Sequence, residues 1–389
     1  MNNVQRKIRT TVAIVMGYAC APFVFLAMSL RRRPATNAPR FLVIPQLTRI
    51  GDVVCSTPVL YSLKKSFPQG RVSVLVSVMT SSLLVHNPSV DEIIVLEDYS
   101  WLGLIKKIYQ SNFDWSFSLS GTSISTLICF MGCVKRRAKI SRSKRPYSEV
   151  LTDWMATDEV RYDDHSYVPR VYLGLLECAG IHTDQERKEV FTFEEADQKA
   201  KQFILEQGLA PSRMLVGMSV TAGNSIKEWG DHNFLEVART LIRKYDVSIV
   251  FIGSPRDNDR INTMMALVDT SERRSITKAT TFSIEELPSL IKNFDFFVSG
   301  DTGPMHIAHA LGIPLVDIIG PVCPGQLLLS GPRSVIVMPN PPVEPSIFAF
   351  HDAGSVELSR KALEQTSVES VCEAFGMLYD SLKNDRSTV

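Results

Sequence analysis

Short apolar segments alternate with helical segments along most of this 389-residue chain, and this alternation restricts its fold more than any other feature. A helical pattern from Asp52 to about Phe67 follows the first apolar run. Because strands that alternate with helices form parallel sheets covered on both faces, the first half is predicted to be Rossmann-like. Its strand candidates are FLVIP from Phe41, VSVLVSV from Val72, EIIVL near Ile93 and FDWSFSL near Trp115.

The same pattern starts again near Glu194, so the chain repeats its architecture. Here the strand candidates are MLVGMSV, VSIVFIG, FDFFVSG and PLVDIIG, separated by helical stretches. The boundary is expected between Arg187 and Glu194. The sequence therefore predicts one α/β domain over residues 41–190, a second over 191–365, and a last helix over 366–389 that could pack on either half.

The stretch from Thr10 to Leu30 carries no charge, and a helix of that length can cross the hydrocarbon core of a bilayer. We expect an uncleaved, single-pass anchor; a cleaved signal and a buried core helix are the alternatives. The apolar run exceeds the core of a usual signal, and three arginines follow it. Four basic residues after the run against three before it favour a cytoplasmic body at the cytoplasmic membrane.

Composition excludes some classes of protein. With 42 Lys and Arg against 41 Asp and Glu, the net charge is +1, and 45% of residues are hydrophobic. The chain is therefore neither a disordered segment nor a uniformly basic nucleic-acid binder. Its seven cysteines are scattered without paired CxxC spacing, which favours a reducing compartment and predicts that Cys129 and Cys133 are core thiols.

The loops after the strands are where ligands bind in open parallel sheets. The first loop runs through Arg49 and Gly51 into a helix that starts near Asp52. A carboxylate at a helix start is either an N-cap or, in a cleft, a general base for a hydroxyl nucleophile. The residues alone leave both roles open.

A second loop, Ser299 to Gly312, reads as strand, glycine-containing turn and short helix. Asp301 or Thr302 can cap the helix, whose exposed N–H groups and dipole suit a diphosphate. An ordinary capped helix is the alternative. His306 and His309 lie three residues apart without a third ligand in register, so we predict a hydrogen-bonding His306 and no metal site.

A third loop, Thr221 to Gly230, contains Lys227, whose ammonium could meet a departing diphosphate while Thr221 or Ser225 bonds its oxygens. The sequence contains no GxxxxGK[ST], GxGxxG or GxSxG motif. A P-loop NTPase, a standard dinucleotide dehydrogenase and a hydrolase with a GxSxG nucleophile elbow are therefore disfavoured.

The run from Lys135 to Arg145 holds seven basic residues and no acid. Such a run is usually a solvated face, and here it is predicted to meet the anionic groups of an acceptor or of lipids. It has no interleaved aromatics, which disfavours nucleic acid. The acceptor-binding candidates are Arg49, Arg136, Arg137, Arg142 and Arg145.

These motifs, in this order, resemble glycosyltransferase family nine, the lipopolysaccharide heptosyltransferases. The resemblance spans nearly everything after Phe41. It is carried by Arg49-Ile-Gly-Asp-Val-Val with Thr57-Pro58, by Lys227-x-Trp229, and by Asp301-Thr-Gly-Pro-Met-His-Ile-Ala with Ala310-Leu-Gly-x-Pro314 and Gly320-Pro321. The chain departs from the family pattern at Gly230, where proline is usual, at His309, where a small residue is usual, and in its N-terminal apolar run.

The resemblance implies a GT-B fold, two Rossmann-like domains facing a cleft, and inverting transfer without a metal or other cofactor. It assigns Asp52 as catalytic base and Lys227 as the lysine that meets the donor diphosphate, with Thr221 beside it. The donor loop it implies comprises Asp301, Thr302, Gly303, Met305 and His306.

The expected function is transfer of heptose from ADP-heptose to a lipopolysaccharide core or related glycolipid. The expected partners are a nucleotide-sugar, an anionic glycolipid and the membrane, with no nucleic acid. Two alternatives stay open at this point. One is a nucleotide-sugar epimerase or hydrolase of the same fold, and the other is a membrane-tethered nucleotide-sugar-binding protein without turnover.

Overall fold

A computed structural model of the chain describes residues 3–31, 38–142, 145–209, 213–269, 272–351 and 355–387, with side chains described between residues 10 and 383. Of the basic residues singled out above, Arg32, Arg33 and Lys144 lie outside these ranges, as do the side chains of Arg6, Lys7 and Arg9. The chain divides into two units, Met1–Arg187 and Lys188–Val389.

Within the described residues, the first unit holds six strands and seven α-helices. The strands are Arg40–Ile44 (β1), Arg71–Val76 (β2), Glu92–Val95 (β3), Trp115–Ser118 (β4), Arg136–Arg142 (β5) and Asp158–Tyr162 (β6). The helices are Asn3–Leu30 (α1), Ile50–Ser66 (α2), Val78–Ser81 (α3), Trp101–Ser111 (α4), Ser123–Met131 (α5), Tyr147–Thr152 (α6) and Val168–Glu177 (α7).

The second unit repeats this arrangement. Its strands are Leu215–Ser219 (β7), Ser248–Ile252 (β8), Ile276–Ala279 (β9), Phe296–Gly300 (β10), Leu315–Ile318 (β11) and Ser334–Val337 (β12). Its helices are Glu194–Glu206 (α8), Asp231–Tyr245 (α9), Asn258–Ala266 (α10), Leu287–Ile291 (α11), Gly303–Ala310 (α12), Val356–Glu364 (α13) and Val368–Ser387 (α14).

Both sheets are parallel and have the same strand order. The first runs β3-β2-β1-β4-β5-β6 and the second β9-β8-β7-β10-β11-β12, which is the Rossmann order 3-2-1-4-5-6 in each unit. The order reverses between β1 and β4, where Ile44 pairs with Ser118, and between β7 and β10, where Ser219 pairs with Ser299. The predicted pair of Rossmann-like units is confirmed, and the two switch points define where ligands are expected.

Burial of the central strands follows from helices covering both sheet faces. Every residue of β7, β8 and β10 is buried, as expected for strands covered on both faces. The last helix, α14, packs on the second unit, where Val371 and Phe375 enter the main hydrophobic cluster. Its placement, which the sequence left open, is therefore with the second unit.

The composition of the basic run suggested a solvated face, and this expectation is wrong. Residues Arg136–Arg142 of the run form the interior strand β5, between β4 and β6. Five of the seven residues from Arg136 to Arg142 are buried. Its charges are accommodated by acids on neighbouring segments: Arg136 pairs with Asp158, Lys139 with Asp153, and Arg142 with Glu149. A strand rich in charge can therefore lie inside a sheet when each charge meets a partner.

The helix α1 contains the apolar stretch Thr10–Leu30, whose mean hydropathy of 2.0 makes it long and apolar enough to cross a membrane. The same helix packs on the first unit, mainly against α5, with Val24 buried in a cluster that includes Leu127 and Phe130. Length and composition alone do not tell a spanning helix from one that lies along a protein surface.

Candidate active site

Asp52 lies at the switch point of the first sheet, in the first turn of α2, which follows β1. The N-cap position belongs to Arg49, so the reading of Asp52 as an N-cap is wrong. Its side chain is about 5% exposed, and one carboxylate oxygen lies 4.0 Å from the Arg49 guanidinium. Its position in the first turn of α2 places this carboxylate at the positive end of the helix dipole, next to Arg49.

Tyr172 of α7 lies near Asp52. Burial, and then the negative charge of Asp52, raise the pKa of Tyr172 well above its usual value. The phenol therefore stays protonated at neutral pH. Nothing in the sequence around Tyr172 singled it out, because α7 is distant from Asp52 along the chain and joins it only through packing against α2.

A group of hydroxyls lies on the other side of the same switch point, after β4. The Ser118 and Ser125 oxygens are 2.5 Å apart, and Thr122 caps α5 by accepting from the Ser125 N–H. Gly121 has φ +61°, and a Cβ there would meet the Ile140 carbonyl oxygen at 2.2 Å. The turn therefore requires glycine. The sequence LSGTS is the signal that could have identified this loop.

At the switch point of the second sheet, Lys227 and Asp301 form an ion pair. The Lys227 ammonium donates to the Asp301 carboxylate at 2.6 Å and to the Asp301 carbonyl oxygen at 3.2 Å. Burial acts to raise the pKa of Asp301, but Lys227 and the His306 ring outweigh it and hold that pKa well below its usual range. The sequence motifs placed these residues in separate loops; the structure brings them together.

His306 is buried beneath Asp301. Its Nε2 lies 3.3 Å from the Asp301 carboxylate and its Nδ1 lies 3.4 Å from the Lys188 ammonium. Because an ammonium only donates, Nδ1 is the acceptor and Nε2 carries the hydrogen that is donated to Asp301. Burial, together with the charge of Lys188, lowers the pKa of His306 to about 4 against the opposing effect of Asp301. His306 is therefore neutral at pH 7.

The charges of this cluster sum to a positive value. Lys188 and Lys227 contribute two positive charges and Asp301 one negative charge, while His306 is neutral. Asp317 of β11 is buried nearby, and burial together with the charge of Asp301 raises its pKa well above its usual value. The cluster is therefore suited to an anion rather than a cation.

The start of α12 adds to this electropositive site. Thr302 occupies the N-cap position, with its hydroxyl 3.0 Å from the Ser299 hydroxyl, and Gly303 is the first helical residue. Met305 is completely buried, so its side chain lies in the core. Burial lowers the pKa of His309 to about 3, so this histidine is also neutral. Across the described residues, His, Cys, Asp and Glu form no group of three that could hold a metal ion.

The loop that carries Lys227 is fixed by Trp229. The indole is buried, and its Nε1 donates to the Thr366 carbonyl oxygen at 2.8 Å. Gly230 follows with φ +106°, which proline, with φ near −65°, does not adopt. The departure from the family pattern at this position is therefore tied to a local backbone conformation that requires glycine.

The predicted acceptor arginines have partners within the first unit. Arg136 is about half exposed and pairs with Asp158, whereas Arg137 is buried and donates to the carbonyl oxygens of Met155 and Lys135. The Arg145 guanidinium donates to Asp153 at 2.5 Å. An acceptor role for these residues and for Arg142 remains a prediction.

Lys188 is the residue of this site that the sequence did not reveal. It lies in the segment between α7 and α8 that links the two series of strands, 118 residues before His306, and in no recognisable motif. Its side chain is buried, and it also donates to the Leu327 carbonyl oxygen. A buried lysine next to a histidine is a signal that only the folded chain provides.

Two Rossmann-like units, each with polar residues at its switch point, define the GT-B fold, and solved structures confirm it. A glycosyl transferase family 9 structure from Veillonella parvula matches with a TM-score of 0.74 at 21% identity, covering 90% of this chain and 100% of that one. The E. coli ADP-heptose LPS heptosyltransferase II matches with a TM-score of 0.68 at 20% identity, covering 89% and 99%.

Sequence comparison gives the family. The model of glycosyltransferase family 9 (heptosyltransferase) matches residues 101–346, and the chain belongs to this family. The lipopolysaccharide core heptosyltransferase OpsX of Haemophilus influenzae is 24% identical over 289 residues, which cover 73% of this chain and 80% of the relative. The protein is therefore a glycosyltransferase of the heptosyltransferase type.

Proposed function

We propose that this glycosyltransferase moves a heptose from ADP-heptose to a hydroxyl of a lipopolysaccharide core or related glycolipid, with inversion at the anomeric carbon. The observation that carries the donor half is the net positive cluster of Lys227, Asp301, His306 and Lys188 beside the start of α12. The sugar is proposed because the E. coli protein of the same fold is an ADP-heptose enzyme and the relative from H. influenzae is a lipopolysaccharide core heptosyltransferase.

On the donor side, Lys227 is the group proposed to meet the diphosphate. Its side chain is about 22% exposed, whereas that of Asp301 is about 5% exposed, so the ammonium is the more accessible member of the pair. The N–H groups at Gly303 and the dipole of α12 add positive potential. Asp301 fixes the position of the ammonium, and His306 fixes Asp301. Thr221 is proposed to bond the diphosphate oxygens.

On the acceptor side, Asp52 is the proposed general base. Its carboxylate takes the proton of the acceptor hydroxyl while the hydroxyl oxygen forms a bond to the anomeric carbon. The bond from that carbon to the diphosphate breaks at the same time, and ADP leaves with the electron pair. Attack from the face opposite the leaving group inverts the configuration. Lys227 and the start of α12 stabilise the negative charge that develops on the diphosphate.

The reaction as proposed needs no metal, because a lysine and a helix start supply the positive charge that a divalent cation supplies elsewhere. Activity should therefore persist in excess EDTA. Loss of transfer after chelation, with recovery on adding Mg²⁺ or Mn²⁺, would contradict this part of the proposal.

The enzyme is proposed to act at the inner face of the cytoplasmic membrane, with both Rossmann units in the cytoplasm. The support is the apolar helix α1 and the lipid character of the proposed acceptor. The candidate acceptor residues are Arg49, beside Asp52, and the two most exposed arginines of the basic run, Arg136 and Arg145.

Transfer assays of Asp52→Asn and Asp52→Ala test the base. Both variants should lose sugar transfer by about 10²-fold or more, the usual contribution of a positioned base, while donor binding stays unchanged. Asp98→Asn is the matched control, because Asp98 is an exposed carboxylate of the same unit. Normal transfer by either Asp52 variant would show that the base is a different group.

A further inference from the structure

The helix α1 has two different faces. The face that packs against the rest of the first unit consists of positions 10, 13, 14, 17, 20, 21, 24, 27, 28 and 31, all buried or half-buried, at the spacing of one helical stripe. Most of these residues are small. Gly17 shows how close the packing is, since a Cβ there would meet Leu127 at 2.4 Å and Met155 at 3.1 Å.

Polar contacts hold α1 near the middle and at the C-terminal end of this stripe. Near its middle, the Tyr18 hydroxyl donates to the Leu151 carbonyl oxygen at 2.6 Å. At its end, the Arg31 guanidinium donates to Asn112 and to the Cys133 carbonyl oxygen, each at 2.8 Å. The helix is therefore attached to the first unit along the whole length of its apolar run.

The outward face of α1 is apolar as well. Between Thr11 and Leu30 it carries no charged residue, and its large side chains are well exposed: Phe23 by 73%, Leu30 by 71% and Val15 by 62%. The apolar surface continues onto the neighbouring α6 region, because Trp154 contacts Tyr18 and Phe25 with ring centroids 5.2 and 6.3 Å apart. The surface of a helix that faces water is normally polar, so this face is built for another apolar phase.

Charge identifies that phase as an anionic lipid surface. The first 51 residues contain eight Lys and Arg and not one Asp or Glu. Basic residues that flank an apolar surface are attracted to anionic headgroups, whereas they would repel each other across an interface between two copies of this chain.

The packing of α1 against α5 and α6 is incompatible with α1 crossing the bilayer as an isolated helix. If residues 10–30 spanned the hydrocarbon, α5 and α6 would lie at the same depth. The Arg137 guanidinium, 4.0 Å from the Met28 sulfur, and the ion pairs of Asp153 with Lys139 and Arg145 would then lie in or beside the hydrocarbon. Charged groups at that depth are strongly unfavourable.

We propose that α1 stays attached to the first unit and lies in the plane of the membrane, with its outward face and Trp154 immersed in one leaflet. The chain would then be monotopic, with both ends of α1 on the side of the catalytic units. This inference deepens the membrane association proposed above and does not depend on the identity of the donor sugar.

Vesicle flotation of the full-length chain tests the surface. The chain should float with vesicles of phosphatidylethanolamine and phosphatidylglycerol at 3:1. The double variant Phe23→Ser, Leu26→Ser should bind roughly a hundredfold more weakly, because each of the two buried large apolar side chains is worth about tenfold in partitioning. Ala19→Ser, on the same face, is the matched control. Unchanged binding of the double variant to vesicles would overturn the proposal. It would also be overturned if the chain formed a dimer in the absence of vesicles and the double variant, but not Ala19→Ser, disrupted that dimer.

Two further readings separate an in-plane helix from a spanning one. Lipids brominated in the acyl chains should quench Trp154, measured as the difference between the full-length chain and Trp154→Phe. In inverted inner-membrane vesicles, protease should remove an epitope fused to the N-terminus. An unquenched Trp154 with a protected epitope would mean that α1 leaves the first unit and spans. Transfer to a short soluble acceptor, measured in parallel, should be unchanged in the double variant, which separates this test from that of the proposed reaction.

Discussion

Replacing Lys227 with methionine should destabilise the second unit by about 3 kcal/mol. The substitution removes the ammonium 2.6 Å from Asp301, whose carboxylate is almost completely buried. Removing one partner of a buried pair typically costs about 3–5 kcal/mol, because the other charge is left uncompensated. The lower end applies here, because Lys227 is partly exposed and the His306 ring still donates to the carboxylate.

A double-mutant cycle isolates the pair. Asp301→Asn keeps an acceptor for His306 but removes the charge, so Lys227→Met combined with Asp301→Asn should be less destabilised than the sum of the single variants. We expect a coupling of about 1–3 kcal/mol. The matched control is Lys199→Met, whose partner Glu286 lies at 2.8 Å in a more exposed pair and should contribute about 1 kcal/mol or less.

Urea denaturation at pH 7.5, followed by circular dichroism, measures these free energies of unfolding. The prediction is contradicted if Lys227→Met lowers the free energy of unfolding no more than Lys199→Met does and the effects in the cycle are additive. Lys227 would then not stabilise the buried carboxylate of Asp301. The contact between Lys227 and Asp301 would then not be the ion pair on which the proposed donor site depends.

Three further predictions concern the same unit. Because the pKa of His306 is lowered from 6.5 to about 4, the unfolded state binds more protons than the folded state between these pH values. The free energy of unfolding should therefore fall by about 3 kcal/mol as the pH drops from 6.5 to 4. In urea denaturation at a series of pH values, His306→Gln should show a smaller dependence of this free energy on pH. Lys188→Met removes the second of the causes that lower the pKa of His306, after burial, and should raise that pKa in an NMR titration; an unchanged pKa would show that the charge of Lys188 does not act on His306. Gly230→Pro should cost about 3 kcal/mol in thermal unfolding, because proline does not adopt φ +106°, and a variant as stable as the wild type would contradict the assigned backbone.

The central strands β1, β7, β8 and β10 could be predicted from the sequence because they are rich in apolar residues. The strand β5 could not, since its sequence RRAKISR reads as a basic surface segment. Its burial depends on Asp158, Asp153 and Glu149, which lie on segments that only the fold brings together. A run of charged residues predicts an exposed segment unless the residues that pair with it are also known, and the sequence does not show which residues those are.

The candidate site was predicted in part. Motif order identified Asp52, Lys227 and Asp301 as candidates, because each lies in a loop or first helical turn that follows a central strand, where ligands bind in parallel sheets. The sequence did not show that Lys227 pairs with Asp301, nor that Lys188 lies against His306, because those contacts join segments 74 and 118 residues apart.

The apolar run of α1 shows a different limit of sequence reasoning. Hydropathy and length report that both faces of the helix avoid water. They do not report that one face, centred on Gly17 and Val24, is covered by α5 while the other is open. The difference between a spanning and an in-plane helix depends on that neighbour.

The most direct test of the proposed function is calorimetric binding of the full-length chain to ADP-, UDP-, GDP- and CMP-linked sugars. Lys227→Ala is the test variant, and Lys201→Ala, an exposed lysine on α8, is the matched control. We expect selective binding of ADP-heptose that is lost in Lys227→Ala and retained in Lys201→Ala. Selective binding of another nucleotide-sugar would replace the proposed donor, and ADP-heptose binding that survives Lys227→Ala would contradict the proposed diphosphate site.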